Sequence, residues 1–168
     1  VAAEGDYVAA GLQDGEILLF RAGQLDTVLK GHSKVVIGLA MCNGQLFSGS
    51  GDMSIKIWDG ASGACVATLE EHTDTIFGVA ATCELCASAS RDTSVRVWPV
   101  QARSGDPSRL TLKHPERAYS VSIDEAAERL ATACGDGIVR VWSVVSGACT
   151  HTLRGHGQAC VSVCLLSG

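Results

Sequence analysis

The chain has 168 residues, 46% of them hydrophobic, with 19 Gly, 3 Pro and a formal net charge of −5. That length can bury one sizeable core, so a single domain is the first expectation. The acidic balance, with no basic run, disfavours nucleic-acid binding, which needs a positive surface to displace counterions from phosphates. The longest apolar run, residues 35–42, is interrupted by Gly38 and falls far short of the roughly 18 residues that span a bilayer. Residues 1–7 lack a basic stretch followed by an apolar one, so no signal peptide is read there. The first residue is Val1 rather than Met, which we read as the mark of a fragment or a processed product.

In chain order, residues 7–12, 16–20 and 25–29 read as three short strands, with Asp14 in a turn and Phe20 ending the second. Residues 35–41 form the next strand, closed by Asn43-Gly44, a strong two-residue hairpin signal. Strands follow at 45–50, 54–58 (Ile55 and Ile57 alternating with Ser54 and Lys56) and 64–69. A second set covers 77–81, 85–90, 94–98 and 109–112, and a third 120–123, 129–133, 138–142 and 148–153. Residues 161–165, after Gly155-His156, read as one further strand. Short strands at regular spacing with Gly, Asp and Ser turns predict an all-β architecture. The one longer connection, 99–108, carries Arg103, Ser104, Gly105, Asp106 and Pro107 and is expected to project as a surface loop.

A four-residue signature recurs through these sets: His32, Ser48, Asp52, Trp58; His72, Ser88, Asp92, Trp98; and His114, Thr132, Asp136, Trp142. In every copy Trp follows Asp by six residues and the hydroxyl precedes Asp by four. Successive His residues lie 40 and 42 apart, and His156 follows 42 later. A period in that range marks repeated supersecondary units. The expected segments are 1–30, 31–70, 71–112, 113–154 and 155–168, the first supplying only a repeat's last three strands and the last only its first.

Eight Cys do not read as a disulfide framework. Cys65 and Cys149 occupy the same slot of two repeats, too far apart for the 4.4–6.8 Å Cα separation of a disulfide. Cys83-Glu84-Leu85-Cys86 could bind zinc or work in redox chemistry, but no second ligand pair accompanies it. Cys86 falls where Leu46 and Leu130 sit, a core position. Reduced thiols in a cytoplasmic or nuclear protein are the expectation, with no metal and no cofactor.

Gly31-His32 with Trp58-Asp59, and Thr-Leu before each following His (Thr68-Leu69, Thr111-Leu112, Thr152-Leu153), resemble the WD-repeat β-propeller family along essentially the whole chain. Trp98-Pro99 and Trp142-Ser143 depart from the Trp-Asp dipeptide, and Glu71-His72 and Lys113-His114 from Gly-His. The resemblance implies blades of four antiparallel strands, about four of them here. Members most often have seven, which at about 42 residues per blade needs almost 300 residues. An open arc of a longer propeller is therefore expected rather than a ring closed by the two terminal segments, and its end strands would expose unpaired edges.

Ser48, His32 and Asp52 hold the ingredients of a nucleophilic triad. A catalytic set is assembled once, however, and this one recurs three times in register. The resemblance instead implies a structural network from Trp through Ser or Thr to His and Asp. That suits the chemistry, since buried indole, hydroxyl and imidazole groups each need partners. No enzyme is read from this chain.

The resemblance further implies a rigid interaction platform. Its binding positions lie three and five residues after the repeat His and just before the network Asp: Val35, Ile37 and Gly51; Thr75, Phe77 and Arg91; Arg117, Tyr119 and Gly135; and Gln13. Aromatic and Arg residues dominate interface hot spots, which singles out Phe77, Arg91, Arg117 and Tyr119. Packing at the inner edge of a blade would account for Phe77 and Tyr119 equally well. Protein or peptide partners, acidic or phosphorylated, fit the arginines. The expected function is a scaffold or substrate-recognition propeller, as in an F-box type ubiquitin-ligase adaptor. The alternative is a regulatory propeller attached to a signalling ATPase or kinase.

Overall fold

A computed structural model describes residues 1–165. Among them are sixteen strands and no helix, arranged as four sheets of four antiparallel strands in chain order. The first sheet holds β1 (Ala2–Glu4), β2 (Tyr7–Gly11), β3 (Ile17–Arg21) and β4 (Gln24–Leu29). The second holds β5 (Val36–Cys42), β6 (Gln45–Ser50), β7 (Ile55–Asp59) and β8 (Cys65–Leu69). The third comprises β9 (Ile76–Ala81), β10 (Leu85–Ser90), β11 (Ser94–Pro99) and β12 (Leu110–Lys113). The fourth comprises β13 (Ala118–Ile123), β14 (Arg129–Cys134), β15 (Val139–Ser143) and β16 (Cys149–Leu153). Asn43 and Gly44 turn β5 into β6 with positive φ at both (52° and 70°), the backbone a two-residue hairpin requires.

The period-two alternation gives every sheet two apolar faces, and each junction joins opposite faces of neighbouring sheets. Leu46 and Trp58 of the second sheet pack on Ala9, Ile17, Leu19 and Leu29 of the first. Trp98 and Cys86 of the third pack on Phe47, Ile55, Ile57 and Leu69. Leu130, Trp142 and Val144 of the fourth pack on Ala87, Ala89, Val95, Val97 and Leu112. Burying each such side chain stabilises by about 1.5–3 kcal/mol, so the junctions carry much of the fold. The first strands stand side by side, β1 on β5, β5 on β9 and β9 on β13.

Glycine permits that close approach. A Cβ on Gly38 would meet Val79 N at 2.9 Å and Gly78 C at 3.0 Å, and one on Gly78 would meet Ser120 Cα at 3.1 Å. The two outermost faces lie open. Leu153, on β16, is 53% exposed, whereas its counterparts Leu29, Leu69 and Leu112 are 3%, 1% and 4% exposed. The sheets form an open arc of blades.

Three expectations need correcting. The first sheet has a strand of its own before 7–12: Ala2, Ala3 and Glu4 of β1 pair with Ala9, Val8 and Tyr7. Residues 161–165 form no strand; the amides of Val163 and Leu165 donate to the Ser120 and Ser122 hydroxyls at 3.3 and 3.0 Å, where a ladder would need carbonyls. Residues 166–168 lie outside the described residues. The 99–108 connection is a surface loop as expected in its middle, where residues 103–107 are exposed, but its start packs back instead of projecting. Val100 and Ala102 are buried against the second and third sheets, and the Ser104 hydroxyl accepts from the Thr68 amide at 2.8 Å.

Candidate interaction face

The recurring His, hydroxyl, Asp and Trp meet within each of the last three sheets, on three different patterns. In the second sheet the indole N–H of Trp58 donates to Ser48 Oγ at 2.8 Å, and Ser48 Oγ lies 2.8 Å from His32 Nε2. His32 Nδ1 stands 2.8 Å from Asp52 Oδ2, and Asp52 also accepts from the Ser54 hydroxyl and the Ser33 amide. Burial works to raise the Asp52 carboxyl, but the bonds from Ser54, Ser33 and His32 outweigh it and hold it at about 2. Burial lowers His32 against the pull of Asp52.

The third sheet repeats the His72–Asp92 and His72–Ser88 bonds, both at 2.7 Å, but the buried indole N–H of Trp98 has no partner among the described residues. In the fourth sheet Trp142 and His114 both reach Thr132 Oγ1, at 3.0 and 2.8 Å. The expected His114–Asp136 bond is not made. His114 Nδ1 donates instead to the Leu112 carbonyl at 3.1 Å, while Arg140 takes both oxygens of Asp136 at 3.2 and 2.6 Å. Burial then pushes His114 down to about 4, and the Arg140 hydrogen bond, against burial, holds Asp136 at about 2.

These chains of bonds fix the loops that carry the expected contact residues. The amides of Gly51, Arg91 and Gly135 each donate at 2.9 Å to the carbonyl of Val35, Thr75 and Arg117 respectively. The position before each network Asp is thereby tied to the position three after each His. Gln13 is exposed in the corresponding turn of the first sheet.

Ile37, Phe77 and Tyr119 share a feature that spacing alone did not reveal. Each is the residue skipped by the register of its inner strand: β5 shifts between Val36 and Gly38, Ser90 and Ala89 pair with Ile76 and Gly78, and β13 shifts between Ala118 and Ser120. Such bulges re-aim a side chain out of the sheet's alternation. A small residue following a large apolar one (Ile37-Gly38, Phe77-Gly78, Tyr119-Ser120) was the legible signal. Phe77 and Tyr119 stack across the third junction with ring centroids 5.2 Å apart and planes at 27°. Arg91 stands 3.7 Å from the Asp74 carboxylate, both about half exposed, a contact of little worth in water. Arg117 is exposed, and no ion pair holds it among the described residues.

A profile of the WD domain, G-beta repeat, matches residues 23–59, 63–99 and 107–143. The chain belongs to the WD-repeat family. It is 29% identical to the U3 small nucleolar RNA-associated protein 15 homolog of Xenopus laevis over 98% of its own length and 33% of that protein. Identity to nuclear distribution protein nudF 1 of Talaromyces marneffei is 34%, covering 94% of this chain and 27% of the relative. Mitochondrial division protein 1 of Saccharomyces cerevisiae is 28% identical over 76% of the chain and 15% of its own length. The chain thus spans about a third or less of these relatives. WD repeats are protein-interaction scaffolds, generally without catalytic activity of their own.

Proposed function

We propose that this arc of WD blades docks an acidic or phosphorylated peptide on the face holding Arg91, Arg117, Phe77 and Tyr119. The stacked pair on bulged positions carries the reading: Phe77 and Tyr119 form an aromatic wall at the third junction. Arg91 is tied to Thr75, two residues before Phe77, and Arg117 stands two residues before Tyr119. Guanidinium groups grip carboxylate or phosphate bidentately, and only the weak Asp74 contact would have to yield. Val35, Thr75, Ile37 and Gln13 extend the same face.

Substrate recognition within an F-box type adaptor is the finer form of this reading; its support is the family's use as a rigid platform. A location in the cytoplasm or nucleus belongs to the same reading, and its nuclear side fits the relative whose name carries "nucleolar". The acidic chain favours protein over nucleic acid as the partner.

Proximity capture from cells decides it, with the chain compared against the R91A/R117A/Y119A variant. Loss of specific partners at unchanged thermal stability supports the reading, and an identical partner set removes it.

A further inference from the structure

Away from that face, the Cys83-x-x-Cys86 pair of the sequence is pulled apart by the fold. Cys86 lies on β10, fully buried at 0% exposure among the side chains between the second and third sheets. Burial pushes its thiol up to about 12, so it is inert. Cys83 sits exposed in the β9–β10 turn, and Cys42 ends β5 on the adjacent sheet, partly buried. Both line one pocket of about 330 Å³ with Asn43, Ala81, Thr82, Ile123 and Glu125. Gly38 against Gly78 and Val79 sets β5 and β9 side by side. Cys42 follows Gly38 by four residues, and Thr82 and Cys83 follow Gly78 and Val79 by the same interval, which brings them to the same end of the two strands.

We propose that Cys42 and Cys83 form a redox pair that a low-molecular-weight disulfide such as oxidised glutathione converts to a bond between the second and third blades. Cys83, the exposed thiol, loses its proton and attacks one sulfur of the small disulfide. A protein–glutathione mixed disulfide forms and one glutathione leaves as thiolate. Cys42, deprotonated in turn, attacks the Cys83 sulfur, expelling the second glutathione. Two protein thiols are oxidised by two electrons, the small disulfide is reduced to two thiols, and the two protein protons end on those thiols. Burial, then Glu4 and then Cys83, raise the Cys42 thiol, which suits the second, resolving role. The pocket gives the incoming glutathione room beside Cys83, and bond formation draws the Cys83-Glu84 turn across it.

The other exposed thiols, Cys65, Cys149 and Cys164, lie on β8, on β16 and in the terminal segment, and serve as internal controls. The test incubates the full chain with oxidised glutathione, alkylates residual thiols and digests without reduction for mass spectrometry. The expected product is a peptide pair joined through Cys42 and Cys83. C42S should accumulate the glutathione adduct on Cys83, and C83S should leave Cys42 alkylatable. A stable glutathione adduct on Cys83 with Cys42 still alkylatable in the parent chain would overturn the proposal, as would a Cys83–Cys86 bond.

Discussion

Arg140 grips Asp136 through both carboxylate oxygens and so takes from His114 the acid that the repeat supplies for it. The cause lies one residue before the repeat His. In the third sheet that residue is Glu71, which pairs with Arg96 and leaves Asp92 to His72. In the second it is Gly31, and Lys56 turns to Thr68 Oγ1 at 3.0 Å. Before His114 it is Lys113, the last residue of β12 in the third sheet, a like charge that can offer Arg140 no ion pair. Lys113→Glu should therefore draw Arg140 away, return Asp136 to His114 and raise the His114 titration from about 4. NMR titration of the imidazole measures this, and an unmoved His114 would refute the account.

The two central Trp residues offer a matched comparison. Trp58 and Trp98 are almost wholly buried, but of the two only Trp58 has a partner for its N–H among the described residues. Trp58→Phe and Trp98→Phe remove the same indole area; only the first breaks a hydrogen bond, while the second removes an unpaired buried donor. Trp58→Phe should cost about 1 kcal/mol more than Trp98→Phe. Urea unfolding midpoints at equal slope test the difference, and equal losses would count against it.

The repeat signature made the blades legible because burial of one Trp in each of the last three sheets imposes the same spacing each time. What stayed hidden depended on partners outside the motif. Ala2, Ala3 and Glu4 of β1 show no alternation long enough to read, and become a strand only by pairing with β2. Residues 161–165 do carry the alternation but face Ser120 and Ser122 hydroxyls instead of a backbone edge. In the 99–108 connection Arg103, Ser104 and Asp106 are exposed as their polarity suggested, while Val100 and Ala102, which pack its start, gave no periodic signal to read. On the proposed contact face the family resemblance pointed to Phe77 and Tyr119, while the bulges at their positions needed the register.

Asp52 and Asp136 should differ in what their loss costs. Asp52 accepts from His32, Ser54 and the Ser33 amide, so Asp52→Ala strands the buried His32 and Ser54 donors at once. A loss of roughly 1–3 kcal/mol is expected. Asp136→Ala leaves His114 on the Leu112 carbonyl and releases chiefly Arg140, which can turn to solvent. Its cost should be the smaller of the two. Thermal unfolding of Asp52→Ala indistinguishable from the parent would mean that the network does not stabilise the blade.

Acid should weaken the fold in two stages, the first governed by histidine. His114 is buried and held at about 4, whereas an unfolded chain protonates His near about 6.5. Between those values the unfolded state takes up a proton that the folded state refuses. The stabilisation is complete above the unfolded value and drains away as pH falls towards 4. His32, also lowered by burial, adds to the loss with the same sign. Asp52 and Asp136, both held at about 2, enter from about pH 5 downward, the unfolded carboxylates being half protonated at about 3.9. Chemical denaturation at pH 7 and pH 5 should show His114 contributing a loss of order 1–2 kcal/mol, from about 1.36 kcal/mol per unit. His114→Gln removes that share, so its stability should change less between the two values. An unaltered pH slope in His114→Gln would show that this imidazole does not set the acid limit.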